Sequence, residues 1–187
     1  DAGEVQDAYA TLDADPKNPM LNRTISERYA PGSTFKVITA IALIENGIAN
    51  LDTHMASPVT TTLPGTVTQV SNIESSTCGD GKPTLTEAFA RSCNTTFVLA
   101  SEKLTTQQLT DVTKRFGFGH EQEIPLTVIP SVFPSDADSA QLAMSSIGQY
   151  TVQATPMQMA QVAQTIANGG QMMSPYLIKQ IVDADNQ

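Results

Sequence analysis

Basic side chains are scarce in this chain: 10 Lys and Arg stand against 19 Asp and Glu in 187 residues, a net charge of −9. A surface so acidic is not drawn to phosphate backbones or anionic headgroups, which argues against nucleic acid or an anionic membrane surface as partner. The acidity itself reads as a solubility feature. Histidine is limited to His54 and His120 and cysteine to Cys78 and Cys93. Their spacing matches no zinc or thiol redox motif, so no metal site and no cofactor is expected. No run of 18 apolar residues, internal repeat or low-complexity segment occurs. At 40% hydrophobic, the residues suffice for one core, so one domain or part of one is expected.

What is present is a serine with a lysine three positions on, Ser33-Thr34-Phe35-Lys36, and later the triplet Ser92-Cys93-Asn94. In this composition chance supplies about half a match to each pattern, so context decides their weight. Pro31-Gly32 forces a turn ahead of the apolar stretch from Phe35 to Ile44, and Asn46-Gly47 forms a helix stop. Ser33 is therefore expected in the first helical turn. Positions i and i+3 of a helix lie about 5–6 Å apart at Cβ, so the amine is in reach of the hydroxyl and can take its proton. The first-turn N–H groups lack partners inside the helix, and the Ser33 N–H is a candidate oxyanion donor.

Apolar residues fall on all sides of this helix, which predicts a central helix buried all round. Lys36 is the misfit there, and burial lowers a lysine pKa toward the range of a general base. Thr84-Leu85-Thr86-Glu87 is a capping box for a short helix to Arg91, and a second helix is expected from about Thr95 to Lys103. Ser92-Cys93-Asn94 falls in the break between them, where side chains can face a cleft. Taken alone, the triplet reads better as an ordinary connector in which Asn94 takes a left-handed backbone and Ser92 caps locally.

The remaining punctuation predicts a hairpin over 57–72 turning at Leu63-Pro64-Gly65-Thr66 and a helix over about 106–115 capped by Thr105 and stopped at Gly117. Further helices are expected over 136–146 and from Thr155-Pro156 to Asn168-Gly169-Gly170. Three prolines make 120–134 an extended path, and 172–183 reads as a strand. Methionines 144, 157, 159, 172 and 173 are assigned to core filling.

Around these motifs the chain resembles the penicillin-binding proteins, more narrowly the class B transpeptidases that cross-link peptidoglycan, and within them the penicillin-binding protein A group of actinobacteria. The resemblance rests on Asn22-Arg23 through Tyr29, Pro31 through Thr39, Arg91 through Thr95, Ile147-Gly148-Gln149, and Thr155 through Ala160. It departs at Tyr150, where many relatives carry a small residue. The implied fold is α+β, serine β-lactamase and penicillin-binding-protein transpeptidase-like, with 1–187 a partial transpeptidase domain covering mainly the helical subdomain and lacking most of the central antiparallel sheet. Its active-site helix spans about 33–46 and its second-motif loop 92–94. The family's third motif, Lys-Thr-Gly or similar, is not found in these residues, so this piece alone is expected to be inactive. No signal peptide or membrane anchor is seen, although the family is tethered outside the cytoplasmic membrane.

The resemblance implies a serine acyltransferase with Ser33 as nucleophile, Lys36 as general base, Ser92 as proton relay and Asn94 as substrate-binding amide. Partners would be stem peptides ending in D-Ala-D-Ala, β-lactams that stop at the acyl stage, and a cell-wall synthesis complex. An oxidising extracytoplasmic location implies a Cys78–Cys93 disulfide beside the second motif. The alternatives are a D,D-carboxypeptidase, a β-lactam sensor or non-catalytic binding module, and a purely supporting fragment. A class A β-lactamase is disfavoured because neither Glu121 nor Glu123 is followed four residues on by Asn, and Ser-Asp-Asn is absent.

Overall fold

The computed structural model describes residues 2–122 and 124–181. Glu123 and residues 182–187, part of the expected strand among them, lie outside that set. Eight α-helices and one small two-stranded sheet make up the regular structure among the described residues: α1 (Ala2–Asp13), α2 (Arg23–Ser26), α3 (Lys36–Glu45), β1 (Thr60–Thr62), β2 (Gln69–Ser71), α4 (Leu85–Ala90), α5 (Asn94–Ser101), α6 (Thr106–Arg115), α7 (Ser139–Ser145) and α8 (Pro156–Ala167). Helix α1 follows no strong start signal and was not anticipated from the sequence. Its Val5, Tyr9 and Leu12 stay exposed.

Helix α3 is the hub. It packs on α4, α5 and α6, while α5 packs on α7 and α2 on α8. Phe35, Ile38, Ala42 and Leu43 are fully buried beneath it, and Phe35 stacks on Phe133 and meets Phe118 edge-on at ring separations of 5.7 and 5.8 Å. The expectation of burial all round is corrected on one side. Val37, Ala40 and Ile41 are only partly buried and Ile44 is exposed, because no described element covers that face of α3. The helix ends as expected, with Gly47 at φ +68° and the Gly47 and Ile48 N–H groups bonded to the Ile44 and Leu43 carbonyls.

β1 and β2 pair antiparallel with Thr60 opposite Ser71 and Thr62 opposite Gln69. Between them Leu63-Pro64-Gly65-Thr66 closes with the Thr66 N–H on the Leu63 carbonyl, and Gly65 at φ +68° supplies the backbone a type II turn needs. Capping boxes at Thr84, Thr105 and Asp138 open α4, α6 and α7. The Asp138 box sets the start of α7 later than the expected 136. Residues 172–181 form no strand: an extended segment acquires a ladder only against a partner edge, and none faces it among the described residues. Met172 and Met173 are consequently exposed rather than core, whereas Met144 and Met159 do pack on the core.

Candidate active site

The chain reaches Ser33 through a close backbone crossing. The Gly32 N–H donates to the Gly148 carbonyl at 2.9 Å, and Gly148 sits at φ +71° with its Cα against the Gly32 backbone. A Cβ there would lie 2.1 Å from the Gly32 oxygen. Only glycine fits, which locks the turn that carries the serine to the loop after α7. Residues Gly32–Phe35 then wind as one tight 3₁₀ turn before α3 begins at Lys36, so Ser33 precedes the α-helix proper by three residues. Phe35 points into the core while Ser33 is exposed. The nucleophile candidate faces solvent, and the amine one turn deeper does not.

Lys36 is 1% exposed. Its Nζ donates to Ser33 Oγ at 3.1 Å, the Ser92 carbonyl at 2.7 Å, Ser92 Oγ at 3.0 Å and Asn94 Oδ1 at 2.6 Å, and it lies 5.6 Å from the Phe97 ring centroid. All its hydrogen-bond partners are uncharged. Burial therefore lowers its pKa from 10.5 to about 8. The four residues singled out in the sequence thus meet at one nitrogen.

The second hydroxyl arrives by an unusual helix ending. After α4, the Ser92 N–H bonds the Phe89 carbonyl and the Cys93 N–H bonds the Ala88 carbonyl, the Schellman pattern, with Ser92 at φ +57° in the position glycine usually fills. A non-glycine residue there costs about 1–2 kcal/mol. That conformation turns both the carbonyl and the hydroxyl of Ser92 onto Lys36. The left-handed residue is thus Ser92 and not Asn94, which is the first residue of α5. Strain retained at a site that needs the side chain in that place is a common mark of function.

Cys78 and Cys93 are joined in a disulfide with Cα atoms 5.9 Å apart, tying the 72–81 loop to the middle residue of the triplet. A cavity of about 280 Å³ opens beside it, lined in part by Asn72, Glu74, Arg91 and Ser92. Neither a cluster of three metal-ligating side chains nor a helix long and apolar enough to cross a membrane occurs among the described residues.

Two contributors have roles that the sequence does not reveal. Gly148 belongs to a recognised block, yet its part in setting the serine turn is visible only in the crossing. Asn72 carries no motif at all, and apart from Ser76 the partners of its side chain that matter here, Pro58 and Thr95, lie 14 and 23 positions away.

Residues 2–187 match the penicillin-binding protein transpeptidase domain. The chain is 46% identical over 182 residues to the peptidoglycan D,D-transpeptidase PbpA of Mycolicibacterium smegmatis, covering 96% of this chain and 37% of that protein. It superposes on penicillin-binding protein A of M. tuberculosis, solved as an imipenem acyl-enzyme complex, with a TM-score of 0.90 at 40% identity over 97% of this chain and 42% of the other. It is also similar to a protein in a peptidoglycan synthase complex that coordinates polymerization and crosslinking, with a TM-score of 0.81 at 28% identity over 93% of this chain and 31% of the other. The chain thus spans well under half the length of these relatives.

Proposed function

The chain belongs to the penicillin-binding protein transpeptidase domain family, and from that membership we propose that it forms part of a peptidoglycan D,D-transpeptidase working through a serine acyl-enzyme. The observation that carries the reading is the convergence of Ser33 Oγ, Ser92 Oγ and Asn94 Oδ1 on a buried, carboxylate-free lysine amine. Residues 1–187 are assigned to a partial transpeptidase domain, with the active-site helix over 33–46 and the second motif at 92–94.

In the first half-reaction neutral Lys36 takes the Ser33 proton as Oγ attacks the carbonyl of the penultimate D-alanine of a donor stem peptide. The Ser33 N–H, in the first turn of its helix, is positioned to donate to the oxyanion, an interaction worth about 2.7–4 kcal/mol in other acyl-transfer sites. The C–N bond breaks and the proton passes from Lys36 through Ser92 Oγ to the departing D-alanine amine. In the second half-reaction an acceptor amine attacks the acyl-enzyme ester, its proton returns by the same route, and Ser33 is released. Asn94 holds the lysine through Oδ1 and offers its amide face to the donor peptide backbone. β-Lactams present a strained amide to the same serine and stop at the acyl stage, as the imipenem complex of the M. tuberculosis relative illustrates. We assign the whole protein to the outer face of the cytoplasmic membrane, alongside a polymerizing partner, a reading supported by the family membership and by the synthase-complex relative.

The test gives the full-length protein a donor peptide ending in D-Ala-D-Ala and a labelled acceptor amine, with products identified by mass. Released D-alanine with a donor–acceptor adduct is expected. Hydrolysed donor without adduct would replace the transpeptidase with a carboxypeptidase, and penicillin labelling with neither product would replace it with a sensor.

A further inference from the structure

Helix α5 poses a problem for its own first residue. An asparagine at the N-cap, one position before Asn94, would ordinarily spend its side chain on the unpaired N–H groups of the first turn. Asn94 spends its own elsewhere. Its Oδ1 receives Lys36 Nζ and its Nδ2 donates to the Ser71 carbonyl at 3.0 Å, at the end of β2. The residue at the N-cap position, Cys93, makes no side-chain cap and is committed to the disulfide. The first-turn donor is met from another element: Asn72, the residue after β2 and 7% exposed, accepts the Thr95 N–H at 3.0 Å and Thr95 Oγ1 at 3.1 Å on its Oδ1. Asn72 is itself fixed, because its Nδ2 donates to the Pro58 and Ser76 carbonyls at 3.0 and 3.1 Å.

We propose that Asn72 is a positioning residue for the acyl-transfer reaction: by capping α5 from outside it holds the helix start where the Asn94 amide meets Lys36, and by anchoring the end of β2 it presents the Ser71 carbonyl that fixes which way that amide faces. One residue thus sets both constraints on Asn94 from a loop that carries no recognised motif. Without it the start of α5 and the end of β2 are no longer held together, and Lys36 loses its shortest hydrogen bond. The proposal rests on Lys36 acting on Ser33 as described above.

The experiment measures acylation of the full-length protein by a fluorescent penicillin in stopped flow, separating the non-covalent binding constant K from the acylation rate constant k2, with thermal unfolding alongside. Asn72→Leu keeps the branched side-chain shape and removes both the cap and the donors. It is expected to lower k2 at least tenfold while K stays within twofold. Thr95→Val is the control, since it removes a buried hydroxyl from the same cluster yet leaves the Thr95 N–H on Asn72. It is expected to lower stability but to change k2 less than threefold. A k2 within threefold of wild type in Asn72→Leu overturns the proposal, and so does an equal loss of k2 in Thr95→Val, which would mean general loosening of the cluster. Should Asn72→Leu not fold, Asn72→Ser, too short to reach the Thr95 N–H, takes its place with the same thresholds. Ser33→Ala separates the two levels. Wild-type labelling that survives in Ser33→Ala removes the acyl-enzyme reading altogether, whereas labelling that needs Ser33 but ignores Asn72 removes only this proposal.

Discussion

Raising the pH is the most revealing perturbation of this site, because one group controls the answer and its environment is fully specified. Lys36 is buried with four oxygen acceptors around Nζ, none of them a carboxylate, and desolvation brings its pKa to about 8. The sign follows directly. Only the neutral amine can accept the Ser33 proton, and its fraction grows as pH rises through the lowered value. At pH 7 about a tenth of Lys36 is neutral, against about 0.03% for a lysine at 10.5, a gain on the order of 300-fold in competent enzyme. The acylation rate constant of the full-length protein, followed with a fluorescent penicillin between pH 6 and 10, is therefore expected to climb about fivefold from pH 7 to 8 and to level off above pH 9. Lys36→Arg stays charged throughout and is expected to lose both the rise and about 10²–10⁴-fold of the rate that a general base supplies. A wild-type profile flat across the range, or one still rising tenfold per pH unit up to pH 10, would refute the assignment of Lys36 as base.

Gly148→Ala should destabilise the fold by about 2–4 kcal/mol, since its Cβ would meet the Gly32 backbone and the residue must also hold a positive φ. Its penicillin labelling should fall with the fraction folded, and a thermal midpoint equal to wild type would contradict the crossing. Opening the Cys78–Cys93 disulfide in a Cys78→Ser, Cys93→Ser double variant should cost about 3 kcal/mol in denaturant unfolding for a loop of this length. An unchanged midpoint would show that the 72–81 loop is held by its other contacts.

Local chemistry carried much of the fold into the sequence. The Gly47 stop, the Thr84 and Thr105 boxes and the Thr155-Pro156 start are each decided by residues within one turn, and each stands where the pattern put it. The adjacency of Ser33 and Lys36 was legible from their spacing at a helix start, whereas that of Ser92 and Asn94 to them came from the family resemblance. What stayed hidden depends on partners far along the chain. The covered side of α3 and the fate of 172–181 turn on which elements face them, which periodicity does not encode. The positive φ of Ser92 breaks the glycine preference that a sequence reader relies on, and the service of Asn72 to α5 is a contact across 23 positions with no spacing rule behind it.

The most direct measurement maps the covalent adduct. Full-length protein treated with labelled penicillin and digested should give one labelled peptide carrying the mass of the acyl group on Ser33, and Ser33→Ala, still folded, should give none. Label retained in Ser33→Ala, or mapped to another residue in the wild type, would contradict the acyl-enzyme at this hydroxyl.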